Sequence, residues 1–376
     1  MPLELSNISI PDITLFKNKD ILAVDIGTSS IKVLQLKKAK KTYKLTKWGI
    51  LPLTDSKNAE MSPNEKKAFI LSQLQDFISR KKVSSKNVVT SVSGNQVIVR
   101  NVQIQKMPLS ELAKTIQFQA EPYIPFDIND VDLGFHVLGD VSSSGQAKMN
   151  TMLVAAKKDF IQSKIEVFDA LNLRPIIVDI DAFAICNAYE INSDPETVET
   201  VLIANIGHSI TNISIVSNRQ VKVVRDVFVS GSMFTKSIMR NLSCDIKTAE
   251  ELKLKNKVFS SSEEKEKMTI ENPNSAQVSI SLTQTAKEFM GEIQKSIDFY
   301  VSQNPENTID RILLTGGCSN IKDLDTFINK QLKIAVSRFN PLASIIHGDE
   351  VPENLAPQFA VAVGLAIRSE NDSLKK

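Results

Sequence analysis

Two stretches of this chain, AVDIGTSSIKVLQL at 23–36 and IANIGHSITNISIV at 203–216, are written on one plan. Superposed, Asp25 falls on Asn205, Gly27 on Gly207 and Ser29 on Ser209. Each stretch then runs through an alternating strand, a polar turn (KAKK or SNRQ) and a returning strand (TYKLTKWGIL or VKVVRDVFV). A repeated supersecondary unit sets architecture before any other feature, and this one calls for two similar lobes. A length of 376 residues agrees, because single cores rarely serve more than about 250–300 residues. In the first copy a run fit for a buried strand stops at Asp25, then Gly27, then three hydroxyl residues. Neither core packing nor an ordinary turn needs that combination.

The rest of the chain fills in an α/β plan. SPNEKKAFILSQLQDFISRKK places Ala68, Leu71, Leu74 and Phe77 on one helical face, with Ser62 and Pro63 as its cap, and NVVTSVSG reads as a buried strand. Near the end, RILLTGGCSNI is a short apolar strand that stops at Thr-Gly-Gly before the helical LDTFINKQL. Two strand-turn-strand loops facing each other, with a Gly-Gly loop entering from the second lobe, describe a cleft that closes on a nucleotide.

Each part of that cleft has a chemical reason. Backbone N–H groups in a tight glycine turn point at phosphate oxygens, and glycine permits both the unusual φ and the close approach. Gly27 and Gly207 supply the turns; Thr28, Ser29 and Ser30 add hydroxyl donors. Asp25, at a strand end, is suited to hold hydrated Mg²⁺ through water, because that ion prefers oxygen ligands and keeps several waters. Gly316 and Gly317 let the chain pass flat against an adenosine, and Thr211 and Ser319 join the cofactor-binding set from the second and third loops. Lys32 either approaches phosphate or sits on a solvated strand face, the alternation favouring the latter. His208 reads as a turn residue beside the phosphates, since no second histidine or carboxylate pattern supports a metal site.

Composition excludes several classes. Forty-five basic against 43 acidic residues leave a charge of +2, which argues against a nucleic-acid footprint or a basic membrane-binding face. Cys186, Cys244 and Cys318 are scattered and unpaired in pattern, so they read as small buried apolar residues rather than a disulfide framework or zinc site. No segment approaches the ~20 continuous apolar residues of a spanning helix. The opening MPLELSNISIPDITLF lacks the basic and apolar regions of a signal peptide and reads as a flexible arm.

The ordered set DIGTSS, VDIDAF, NIGHSIT and LLTGG resembles the actin, Hsp70 and sugar-kinase superfamily, whose two phosphate loops, connecting helix and adenosine loop occur in this order. Between the first lobe and the connecting helix the chain carries NVQIQKMPLSELAKTIQFQAEPYIPFDINDVDLGFHVL and TMLVAAKKDFIQSKIEVFDALNLRPIIVDIDAFA. Those phrases, with AEELKLK, IQKSIDFYVSQ and FNPLASI, resemble the PilM family of type IV pilus assembly proteins, relatives of the division protein FtsA. The resemblance runs from about Ile21 to Ile367 and leaves the arm before Lys17 outside; EPYIPF is its most specific phrase.

The resemblance implies an α/β, actin-like (ribonuclease H-like duplicated) bilobed fold with an FtsA/PilM-type inserted subdomain. Its expected divisions are an arm at 1–18, a first lobe at 19–94 resumed at 174–198, an insert at 95–173, and a second lobe at 199–245 and 301–350. A subdomain of that lobe spans 246–300, and a return to the first lobe with a polar tail covers 351–376. It also implies ATP with Mg²⁺ as cofactors, Glu250 and Lys253 near the ribose or base, and a carboxylate at Asp179 or Asp181 that orients an attacking water. Asp181 is the catalytic candidate, with helix capping as the competing reading. Asn205 departs from the aspartate that many relatives carry, which brings no charge to the metal and leaves turnover slow at best. The implied partner is a PilN-like inner-membrane protein whose cytoplasmic N-terminal peptide docks at the insert, beside other pilus platform proteins. Glu121, Tyr123, Ile124 and Phe126 are its candidate contacts, packing inside the insert being the alternative. The chain itself then stays cytoplasmic, with no membrane insertion, held at the inner membrane by its partner. Two other readings stay open: a sugar kinase, for which no sugar pocket is identifiable, and an FtsA-like self-associating filament, for which Ala366–Lys376 offers no amphipathic membrane helix.

Overall fold

The computed structural model describes residues 4–5, 21–40, 42–53, 61–143, 146–347 and 351–368. The expected flexible arm and polar tail therefore lie outside the described residues, apart from a two-residue strand, β1 (Glu4–Leu5). The expected meander follows as β2 (Ile21–Ile26), β3 (Ser30–Ala39) and β4 (Thr42–Pro52), joined antiparallel. Helix α1 (Pro63–Arg80) starts at a reciprocal capping box in which Ser62 accepts from Glu65 N–H and the Glu65 carboxylate accepts from Ser62 N–H. Its buried stripe is Ile70, Leu74 and Phe77, whereas Ala68, expected there, is exposed. The chain then enters β5 (Asn87–Val92), parallel to β2 and buried along its whole length.

The insert follows. Strand β6 (Val97–Gln105), helix α2 (Leu109–Ala120), and strands β7 (Val131–Ser143) and β8 (Gln146–Lys157) build an antiparallel sheet of order β1-β7-β8-β6. Leu112, Ile116 and Ala120 of α2 close its core against Val102, Ile104 and Leu153. Helix α3 (Lys158–Asp169) leaves the insert, yet its Val167 and Phe168 pack with Leu22, Val24 and Val88 in the first-lobe core. Strand β9 (Arg174–Ile180) completes the first sheet, in the order β4-β3-β2-β5-β9. Helix α4 (Asp181–Asn192) crosses toward the second lobe with Ala182 to Cys186, Ala188 and Tyr189 all buried, as a connecting helix packed on every side must be.

The second lobe repeats the plan. Strands β10 (Thr200–Ile206), β11 (Thr211–Ser217) and β12 (Gln220–Val227) form the antiparallel meander. Helices α5 (Gly231–Leu242), α6 (Ile246–Lys255), α7 (Ser262–Glu271) and α8 (Pro273–Gln303) follow. Then come β13 (Arg311–Thr315), α9 (Leu324–Leu332) and β14 (Ala335–Arg338), for a sheet of order β12-β11-β10-β13-β14. Three antiparallel strands extended by two parallel ones occur in both lobes, so the duplication read from the loops is a duplication of topology.

Helix α10 (Ala360–Ala366) returns to the first lobe and lies on α4. The two backbones meet so closely that a Cβ at Gly364 would fall 1.7 Å from the Ala184 carbonyl oxygen. Gly364→Ala should therefore lower stability by about 1–3 kcal/mol, the usual cost of overpacking a full core. Gly291, mid-way along α8 with nothing within 4 Å of a built Cβ, is the control: Gly291→Ala should gain about 0.5–1 kcal/mol. Thermal melts of the two variants check the pair, and equal melting temperatures would refute the close crossing.

Candidate functional site

The two glycine turns meet at the cleft. Gly27 N–H donates to the Ser30 carbonyl at 3.2 Å, Gly207 N–H donates to the Ile210 carbonyl at 3.0 Å, and the Ser209 hydroxyl donates to Thr28 Oγ1 at 2.9 Å across the lobes. Glycine is needed in both turns for room rather than for φ. A Cβ would lie 3.0 Å from Ser30 O in the first and 2.6 Å from Ile210 O in the second, while neither residue has a positive φ. The third loop differs. Gly316 sits at φ 85°, ψ 170°, backbone space that is essentially glycine-only, and a Cβ there would lie 2.6 Å from Ile206 O and 2.7 Å from Asn205 Oδ1. At Gly317 a Cβ meets nothing nearer than Gln358 at 3.8 Å. The conformational constraint of LLTGG thus belongs to its first glycine alone.

Charge gathers beneath the first loop. Asp25 and Lys32 are register partners on β2 and β3, 3.5 Å apart, and the lysine is mostly covered, so the solvated reading of Lys32 gives way to a cation under the Gly27 turn. Burial pushes the Asp25 carboxyl above the ordinary range, with Lys32 opposing. Asp181 is the first residue of α4 rather than its cap: the capping position is Ile180, which offers no side-chain bond. Asp181 instead accepts a 2.6 Å hydrogen bond from Ser93 and acts electrostatically on Asp25. Asp179, by contrast, is buried beside Arg368 at 3.4 Å, with its pKa raised chiefly by burial.

Three residues not singled out by sequence, Asn212, Asp226 and Lys164, complete this network. In the second lobe the row Asn205, Asn212, Asp226 crosses three strands: Asn205 Nδ2 donates to Asn212 Oδ1 at 2.9 Å, and Asn212 Nδ2 donates to Asp226 Oδ1 at 2.8 Å. The carboxylate missing at 205 is therefore present at 226, half-way across the same sheet, with its pKa raised by burial. An aspartate inside the returning strand VKVVRDVFV was the available signal. Lys164 of α3 donates to the Ile26 carbonyl at 2.9 Å; burial lowers its pKa, and Asp181 and Asp25 raise it. A lysine on an amphipathic helix reads as solvated, and nothing in the sequence marks it otherwise.

The face behind the loops holds Glu250 and Lys253. The buried Lys253 ammonium donates to Thr235 Oγ1 at 3.0 Å and pairs with Glu250 at 2.7 Å, and the Glu250 carboxylate also accepts from Thr235. Lys253 lies within reach of the Gly231 carbonyl, which links it to the second loop through Gly231 N–H donating to Gly207 O at 2.9 Å. His208 lies on that loop, its pKa lowered by burial. Two proposed members are turned inward: Thr211 is fully buried with its hydroxyl given to the Val229 carbonyl at 2.7 Å, and the Ser319 hydroxyl donates to the Gly316 carbonyl at 2.7 Å. Cys186 and Cys318 are buried, the former with its thiol pushed up to about 12, and are inert packing residues.

On the insert, Ile124 is buried and Phe126 packs against the core under the Lys157 ammonium, 4.9 Å from the ring centre. Of EPYIPF only Glu121 and Tyr123 among the four candidate contacts face outward, just after the 82 % exposed Phe118 in the last turn of α2.

Duplicated lobes of one strand order, two facing glycine turns, a buried connecting helix and a third glycine loop define an actin-like protein. The sequence profile of the family described as type IV pilus assembly protein PilM matches residues 23–370, and the chain belongs to that family. Among solved structures it is similar to a PilM-PilN type IV pilus biogenesis complex, at 23% identity over 93% of this chain and 98% of that one, with a TM-score of 0.76. The ethanolamine utilization protein EutJ from Carboxydothermus hydrogenoformans matches at 8% identity over 94% and 90%, TM-score 0.53. MreB5 of Spiroplasma citri bound to ADP matches at 11% identity over 96% and 99%, TM-score 0.53. Among the described residues no helix is long and apolar enough to cross a membrane.

The two glycines of the third loop should separate on substitution. Gly316→Ala loses stability by about 1–3 kcal/mol from its backbone alone, whereas Gly317→Ala melts with the parent. Calorimetric unfolding distinguishes them, and equal tolerance would place the constraint elsewhere.

Proposed function

We propose that the chain binds ATP with Mg²⁺ in the interlobe cleft and serves as an adaptor of the type IV pilus inner-membrane platform, holding the cytoplasmic N-terminal peptide of a PilN-like membrane protein. The observation that carries the nucleotide part is the pair of glycine turns joined at their tips by Ser209 and Thr28. The second turn has no room for a side chain and the first has little, and both sit at the ends of central strands, where an anion can be received by backbone N–H groups. Among the described residues no three acidic, histidine or cysteine side chains cluster as a metal site. Asp25 and Asp226, which both act on Asp181 from the two lobes, would hold a hydrated Mg²⁺ through water, the latter supplying the charge that Asn205 lacks. Bound Mg²⁺ would offset phosphate charge. Asp181, steadied by Ser93, is the carboxylate that would orient a water, and with an uncharged Asn205 in the second phosphate loop hydrolysis is slow.

Membership in the PilM family, and the likeness to a protein solved with PilN, support the partner. The exposed Phe118, Glu121 and Tyr123 supply an outer face of the insert for it, Ile124 and Phe126 being engaged within. Recruitment by such a partner holds the chain at the inner membrane.

Calorimetry on the purified chain should show saturable Mg-ATP binding that Gly207→Val abolishes. The absence of heat at millimolar ATP would end the nucleotide reading. Turnover should stay far below one per second and fall further in Asp181→Asn; brisk turnover would favour a kinase. A peptide copying the cytoplasmic N-terminus of the PilN-like partner should bind at micromolar affinity or tighter and lose at least tenfold with Tyr123→Ala. Indifference to that peptide would remove the adaptor role.

A further inference from the structure

Both roots of the insert end inside the nucleotide cleft. The entry root is the loop between β5 and β6. There Ser93 donates to Asp181 at 2.6 Å, and Gly94 N–H donates to Asp226 of the opposite lobe at 2.6 Å. Gly94 holds φ 88°, and a Cβ on it would lie 2.7 Å from Ile210 Cδ1 of the second glycine turn, so this root is fitted against the other lobe. The exit root is α3, which follows β8, the central strand of the insert sheet, directly. Its Lys164 reaches the Ile26 carbonyl, one residue before the Gly27 turn, and Asp181 and Asp25 are the carboxylates that act on its charge. The far end of α3 is fixed to the first lobe by Val167 and Phe168 and by the Lys67–Glu166 ion pair at 2.5 Å.

We infer that Lys164 is a phosphate-facing cation of the nucleotide site, and that through Lys164 on one root and the Ser93-Gly94 loop on the other the insert reads whether that site is filled. This rests on the nucleotide reading above. The physical case is competition for the same charges. In the described arrangement a half-buried ammonium is balanced by two carboxylates and a backbone carbonyl. Phosphates at the Gly27 turn add negative charge within a few ångströms of Lys164, while a hydrated divalent cation engages Asp25 and Asp226. Lys164 is then drawn from the carbonyl toward phosphate, and Asp226 is shared between Gly94 and the cation. Charge-assisted bonds in a low-dielectric cleft are among the strongest available to side chains, and both are anchored to the ends of the insert sheet.

The test compares hydrogen exchange at β6 and β8 with and without Mg-ATP, in the parent and in Lys164→Met, which keeps the length of the side chain but not its charge. In the parent, Mg-ATP should alter exchange over 97–105 and 146–157. Lys164→Met should weaken ATP binding by about tenfold or more, the loss expected for one charged hydrogen bond. At saturating ATP it should also lose the response at β8. Ser93→Ala serves as the second variant should Lys164→Met melt early: it should blunt the response at β6. A parent that binds no Mg-ATP overturns the nucleotide reading and this inference with it. A parent that binds and responds, with both variants doing the same at unchanged affinity, overturns this inference alone, as does a parent that binds without any change at β6 or β8.

Discussion

The arrangement depends on one backbone contact, the crossing of α4 and α10 at Gly364 and Ala184. Only a residue without a side chain lets the two helices meet at carbonyl distance, and that closeness buries α4 on every side between the lobes. Each end of α4 then has a fixed task. Its first residue, Asp181, points into the cleft toward Ser93, and its last turns hold Tyr189 against Glu199, which in turn chelates the Arg311 guanidinium with bonds of 2.8 and 2.6 Å. The helix that joins the lobes is thus also the ruler that sets the catalytic candidate relative to the second sheet. A looser crossing would let both ends drift.

Around that axis the cleft distributes charge between the lobes instead of stacking it on one loop. The first lobe contributes Asp25 against Lys32, the second Asp226 through Asn212, and the insert contributes Lys164. Asn205, read alone, suggests a weakened metal site. Placed in its row, it is the first member of an amide relay that orients its side chain, since its Nδ2 is given to Asn212 and its Oδ1 is left toward Gly316. The row thus keeps a carboxylate on the same sheet, two strands from Asn205.

Much was legible in sequence because it rests on local rules. The doubled strand-glycine-strand phrase imposed two lobes of one topology, since alternation and turn chemistry act over a few residues. Ser62 and Pro63 marked the start of α1, the order of the glycine loops pointed to the actin-like superfamily, and the phrases of the insert pointed to the family. What failed was whatever needed a partner from far along the chain. Lys32 alternates like a surface residue, yet Asp25 on the adjacent strand captures it. Thr211 looks like a loop donor, yet Val229 takes its hydrogen bond. Phe126 looks like a surface aromatic, yet it closes the insert core beneath Lys157. Gly316 and Gly317 are indistinguishable as letters and differ only in the φ that the Pro357 carbonyl and the packing on Ile206 impose.

By itself, then, the sequence determined the duplicated α/β plan, the place of the insert and the positions of the glycine turns, because backbone geometry and hydrophobic period are written residue by residue. The tertiary structure alone decided which charges share the cleft. Asp226, Lys164 and Ser93 lie on three elements separated by many tens of residues, and an ion pair or hydrogen bond exists only where packing brings two such groups within about 3 Å and removes the water between them.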